Sequence, residues 1–145
     1  MAAECPAPGS MQMQVAPERA ALETTRQAVL RFLEPCALSA RAIYAVELVL
    51  EEVLSNVIAY AFPPGRAGSV GLGVTILADA VELRVDDDGV EFDPLGAPTA
   101  PTPASIDEAT PGGLGLLLVR RFARAVDYQR TDGRNVLTVT VATSP

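Results

Sequence analysis

The 145-residue chain contains no histidine and no tryptophan, has only two cysteines, and is only 5% aromatic. Without histidine, and with Cys5 and Cys36 far apart, no zinc site of the usual Cys/His spacing can be assembled. Two thiols are too few for a disulfide scaffold, so both are read as ordinary thiols. Basic residues are also scarce: 11 Lys and Arg stand against 18 Asp and Glu, a net charge of -7. That balance repels a phosphate backbone and argues against nucleic acid as a direct partner. Any nucleotide held here must be met locally, by backbone N–H groups, a metal ion or a few placed cations. Long apolar runs are missing as well: the stretch from Ala42 to Ala61 is broken by Glu47, Glu51, Glu52, Ser55 and Asn56 and falls short of a membrane span. Residues 1–10 lack the basic start and apolar core of a secretory signal and are read as a flexible leader. A cytoplasmic location with no membrane partner is the expectation that follows.

What is present suits a packed globule. Hydrophobic residues make up 49% and charged ones 20%, and the length fits one domain, placed at 11–145. Met11 to Val15 alternates apolar side chains with Gln, as a half-buried strand does. From Glu18 to Leu33 the apolar positions recur at helical intervals until Pro35 stops them. Ser39 then offers an N-cap for a longer helix ending at the Pro63-Pro64-Gly65 turn near Ala61, apolar on most of its circumference. Ser69 to Leu77 and Val81 to Asp86 read as a hairpin around Ala78-Asp79. The next segment, 87–111, carries five of the prolines and is read as part of a mobile lid at about 88–112. Leu114 to Ala125 returns to helical spacing, and Val126 to Arg130 with Val136 to Val141 form a closing hairpin around Asp132 to Asn135. The hairpins demand antiparallel neighbours. The expected fold is therefore an α/β (α+β) two-layer sandwich, with a mixed, largely antiparallel sheet and helices on one face.

Three segments carry chemistry. Glu52 and Asn56 lie one turn apart on the same side of the second helix. An amide oxygen suits Mg²⁺, and a carboxylate one turn away can take a proton from an attacking hydroxyl; a solvated helix face would carry the same pair. Asp87-Asp88-Gly89 follows a strand, where an aspartate can accept from an amino-bearing ring and a glycine permits close approach; a plain turn uses the same residues. Gly112-Gly113-Leu114-Gly115-Leu116 opens a helix, where exposed N–H groups satisfy anionic oxygens, unless the glycines are only a hinge.

In this order and with these gaps, the segments resemble the N box and the two glycine boxes of the GHKL, or Bergerat-fold, ATPases. The likeness is to the anti-sigma-factor serine/threonine kinases of the RsbW and SpoIIAB type. It rests on Glu47-Leu48-Val49-Leu50-Glu51-Glu52-Val53-Leu54-Ser55-Asn56, on Asp87-Asp88-Gly89-Val90-Glu91-Phe92-Asp93-Pro94, on Gly112 to Leu116, and on Gly133-Arg134-Asn135-Val136-Leu137-Thr138. The resemblance implies ATP and Mg²⁺ as cofactors, Asn56 as the metal ligand and Glu52 as general base. It further implies Asp87 as acceptor for the adenine amino group, Gly89 as the close-approach glycine, and Gly113 and Gly115 in the phosphate loop with Gly112, Leu114 and Leu116. Phe92 is counted with the nucleotide-binding residues and Thr138 is placed near the adenine. Glu51 competes with Glu52 for the base, and the four-residue spacing to Asn56 favours Glu52. Glu91 stands where much of the superfamily has a second glycine. The partners implied are a STAS-type anti-anti-sigma protein as phosphoryl acceptor, a sigma factor, and a second copy in a homodimer. The alternative is a non-kinase ATP-binding switch module that activates a phosphatase or another regulator.

Overall fold

The computed structural model describes residues 9–93 and 119–143. Its elements run β1 (Ser10–Val15), α1 (Ala21–Leu33), a 3-10 turn (Glu34–Cys36), α2 (Ala40–Tyr60), β2 (Val70–Ile76), β3 (Ala80–Asp87), β4 (Ala125–Thr131) and β5 (Arg134–Ala142). The strands form a sheet in the order β1-β2-β3-β5-β4. Every neighbouring pair is antiparallel, so the mixed sheet expected from sequence is purely antiparallel among the described residues. Two tight hairpins make this the economical solution, since a parallel neighbour would need a long crossover. The β4–β5 hairpin closes through Asp132 and Gly133, whose φ values of 52° and 75° match the left-handed geometry that two-residue hairpin loops require. The expected four-residue turn is thus shorter, and Arg134 and Asn135 already belong to β5.

Helices form in the expected regions, with shifted ends. Ser39 caps α2, its hydroxyl oxygen accepting from the Ala42 N–H at 3.1 Å. α1 begins at Ala21 rather than at Glu18 and has no side-chain cap. Its buried Thr25 hydroxyl is satisfied by donating to the Ala21 carbonyl at 2.7 Å. Residues 119–122 are helical, but Ala125, expected in that helix, opens β4.

Both long helices cover one face of the sheet. Val29 and Leu33 of α1, and Val46, Val49, Val53 and Leu54 of α2, interlock with Leu72, Val74, Leu83, Val85, Val139 and Val141 from the strands. A fully buried leucine such as Leu54 contributes about 1.5–3 kcal/mol relative to an exposed one. Cys36, expected as an ordinary thiol, is buried and disulfide-bonded. Strand alternation then fixes two distinct sheet faces. On β5, Asn135, Leu137, Val139 and Val141 share the helix-covered face, and Arg134, Val136, Thr138 and Thr140 share the other. On that outer face Arg134 and Asp86 form an ion pair at 2.8 Å. Among the described residues, no helix is long and apolar enough to cross a membrane.

Candidate functional site

Between the C-terminal half of α2 and the adjoining ends of β3, β4 and β5 lies a cavity of about 500 Å³, counting its open mouth. The α2 wall is Val53, Asn56, Val57 and Tyr60, which recur at helical spacing and so share one face. The sheet wall is Val85 and Asp87 from β3, Tyr128 from β4, and Asn135 and Leu137 from β5, with Phe92 at the rim. Val85 pairs with Leu137, Leu137 with Tyr128, and Asp87 with Asn135, so the ladder registers bring these side chains together. Asn56 and Asp87, 31 positions apart in the chain, thus face one space.

Asp87 is only 4% exposed, and its Oδ1 accepts from the Gly89 N–H and from Asn135 Nδ2, each at 2.9 Å. Asn135, 6% exposed, is the hub. Its Nδ2 also donates to the Val90 carbonyl at 2.8 Å. Its Oδ1 accepts from the Tyr128 hydroxyl at 2.6 Å, from Arg130 Nη1 at 3.1 Å and from the Phe92 N–H at 3.3 Å. Arg130 Nη1 donates as well to the Gly89 carbonyl at 3.0 Å. Burial, with a further push from the Glu91 charge, raises the Tyr128 phenol above its ordinary value and keeps it a hydrogen-bond donor at neutral pH. Next to this network, Asp88 Oδ1 accepts from the Ser69 N–H at 2.8 Å, which holds the Asp88 carboxyl below its usual range.

Gly89 owes its identity to the protein itself. A Cβ there would approach the Ala61 Cβ to 2.6 Å and the Ala61 carbonyl carbon to 2.8 Å, and the next residue, Val90, donates its N–H to the Ala61 oxygen at 2.9 Å. The close approach expected at this glycine is therefore to the end of α2, and Gly89 is not among the cavity-lining residues.

Other expected site residues are placed as follows. Glu52 is half-buried one turn before Asn56 on α2, outside the cavity lining. Burial, and secondarily the charge of Glu51, raises its carboxyl above the usual value. Phe92 is 43% exposed at the rim. Thr138 is out of phase: it pairs with Arg84 and Asp127 and projects from the outer face, since the cavity-lining Leu137 precedes it. The residue of β5 that meets Asp87 is Asn135 instead. Gly112, Gly113, Leu114, Gly115 and Leu116, and the part of the expected lid from 94 onward, lie outside the described residues. Asn135 and Tyr128 are not singled out by the sequence motifs. The signal was there in the alternation: counting back in twos from Val141 reaches Asn135, and Val126, Tyr128 and Arg130 have the matching parity.

The donor set suits an adenine nucleotide. Apolar and aromatic walls can sandwich a planar ring, and one buried carboxylate among them can accept from an exocyclic amino group. Among the described residues no group of three or more His, Cys, Asp or Glu could hold a metal ion by itself. Mg²⁺ does not need one, because it keeps waters and phosphate oxygens as ligands, and the Asn56 amide oxygen can supply a single protein contact.

Residues 15–141 match the family described as the histidine kinase-like ATPase domain, and the chain belongs to that family. Its fold, among the described residues a five-stranded antiparallel sheet covered on one face by helices, is the fold of the GHKL and RsbW-type structures. More particularly, the chain is similar to the serine/threonine-protein kinase BtrW of Bordetella bronchiseptica, 39% identical over 126 residues that cover 84% of this chain and 89% of that protein. Among solved structures it resembles the RsbU and RsbW domains of Rv1364c from Mycobacterium tuberculosis, 14% identical with a TM-score of 0.66, covering 94% of this chain and 33% of that one. It also resembles the blue-light activated histidine kinase of Erythrobacter litoralis EL346, 17% identical with a TM-score of 0.60, covering 86% of this chain and 41% of that one. At such identities these two likenesses concern the fold.

Proposed function

We propose that the chain is an ATP-dependent serine/threonine protein kinase of the anti-sigma-factor kind, cytoplasmic, acting on a STAS-type anti-anti-sigma partner and holding a sigma factor inactive in a partner-switching pathway. The observation that carries the reading is the shared cavity of Asn56 and Asp87, supported by family membership and by the similarity to a named serine/threonine-protein kinase. Bound Mg·ATP supplies the phosphoryl group and the cation that neutralises its charge. Asp87 accepts from the adenine amino group, while Val53, Val57, Val85 and Leu137 exclude water around the ring. Asn56 holds the metal side of the ligand by its amide oxygen. Glu52 accepts the proton of the partner hydroxyl, and its burial-raised pKa increases its proton affinity in a way that suits a base. In phosphoryl transfer the protein mainly positions groups and balances charge, which is the work assigned to these residues.

Incubation of the purified chain with γ-labelled ATP, Mg²⁺ and a STAS-type protein from the same genome tests the proposal. The expected result is label on a serine or threonine of the partner, lost in Glu52→Gln. Nucleotide binding without transfer of label would overturn the kinase reading and favour the switch module. No thermal stabilisation at a hundredfold excess of nucleotide over a micromolar Kd, where about 2.7 kcal/mol is expected, would remove nucleotide binding altogether.

A further inference from the structure

We propose that Asn135 is a positioning residue that sets base selectivity by fixing which oxygen of Asp87 reads the nucleotide; this rests on the cavity being an adenine-nucleotide site. The hydrogen-bond pattern determines the orientation of the amide. Nδ2 faces two acceptors, Asp87 Oδ1 and the Val90 carbonyl, and Oδ1 faces three donors, from Tyr128, Arg130 and Phe92. Rotating the amide by half a turn would set donors against donors and acceptors against acceptors, so one orientation is enforced. Both amide protons are then spent inside the protein. Asn135 therefore has none to offer a ligand and acts through Asp87.

The effect on Asp87 is specific. Its Oδ1 is engaged by two N–H donors, from Asn135 and Gly89, which leaves Oδ2 to take a donor from the cavity. A carboxylate oxygen held as a pure acceptor welcomes the 6-amino group of adenine and repels the 6-carbonyl of hypoxanthine or guanine. Remove the Asn135 amide and the carboxylate is free to rotate or to recruit water, so discrimination falls while the apolar walls remain. Tyr128 and Arg130 serve one step further out, by saturating the amide oxygen and so holding the amide that holds the carboxylate.

The test measures dissociation constants of ADP and inosine diphosphate by calorimetry for the wild-type chain, Asn135→Ala and Tyr128→Phe. The two ligands differ only at the 6-position and the adjoining N1, an amino group beside an acceptor nitrogen in adenine and a carbonyl beside an N–H in hypoxanthine, so their ratio isolates the base edge from general damage to the pocket. Wild type is expected to prefer ADP, Asn135→Ala to lose about tenfold of that preference, chiefly through weaker ADP binding, and Tyr128→Phe to lose a smaller part. Tyr128→Phe keeps the ring and its packing, so it decides the matter if the alanine variant does not fold. A preference retained in full by the folded variants, or equal weakening of both ligands, would overturn the proposal by reducing Asn135 to a structural role. Failure of the wild-type chain to bind ADP at all is a separate outcome, and it strikes the nucleotide reading itself together with everything resting on it.

Discussion

The cavity is built differently at its two ends. At the sheet end, Asp87, Asn135, Tyr128 and Arg130 are joined in one hydrogen-bonded set. At the helix end, Glu52 and Asn56 are half-buried on α2, and no such set among the described residues fixes them. A saturated buried network holds a recognition group still at low entropic cost on binding, whereas groups that must meet a metal, phosphates and a second protein gain from remaining adjustable. Recognition of the base and transfer of the phosphoryl group are thus expected to respond to separate substitutions.

The largest expected effect is at the helix end. Glu52→Gln should lower the rate of transfer to the partner by about 10²–10⁴-fold while leaving ADP affinity within about twofold, measured by single-turnover labelling and calorimetry. Equal loss of both would erase the distinction between the ends. The same carboxyl gives a pH signature. A base must be ionised, so the wild-type rate should fall as pH drops through a pKa raised above the ordinary glutamate value. Stability runs the opposite way: a carboxyl whose folded pKa exceeds its unfolded one favours the fold below the unfolded pKa and loses that contribution as pH rises through the folded one. Glu52→Gln should accordingly have a slightly higher Tm than wild type at neutral pH and converge with it in acid, as a melting series would reveal.

Next comes the sheet end. Asp87→Asn should weaken ATP by about 10–100-fold, because the amide oxygen can keep the bonds from the Gly89 N–H and Asn135 while its NH2 takes the place of Oδ2 and sets a donor against the adenine amino group. Calorimetry should show this loss, with no change of rate at saturating ATP beyond what occupancy explains. Gly89→Ala should cost about 1–3 kcal/mol of stability by overpacking against Ala61, read from urea melts. The smallest effect sharpens the boundary of the site. Thr138→Val, on the outer face, should leave nucleotide affinity within about twofold, and a tenfold loss would put the site on both faces of the sheet.

Most of the scaffold was legible in sequence because it depends on local signals. Ser39, the Pro63-Pro64-Gly65 turn and the Asp132-Gly133 pair fix element ends through capping or backbone geometry that a few residues determine. Asn56 and Asp87 were legible for a related reason, standing at a helix face and a strand end where polar residues among apolar neighbours are conspicuous. Thr138 was misplaced by a one-residue slip in phase, which in a strand turns a side chain to the opposite face. Asn135 reads as turn material in sequence, since asparagine after Asp-Gly-Arg is ordinary there and its partners are 5 to 48 residues away. Only the register of β5 against β3 and β4 makes it a core position.

One contact has a further effect on scale. Val90 is bonded to the carbonyl of Ala61, and the hydrogen of Gly89 is all that fits between the two segments, so the strand end bearing Asp87 is joined to the helix bearing Asn56 by main chain rather than by side chains. If Asp87 meets the ring and Asn56 the metal, as proposed, this main-chain link sets the span a nucleotide must bridge, and substitutions along the walls should change how tightly it is gripped without altering that span.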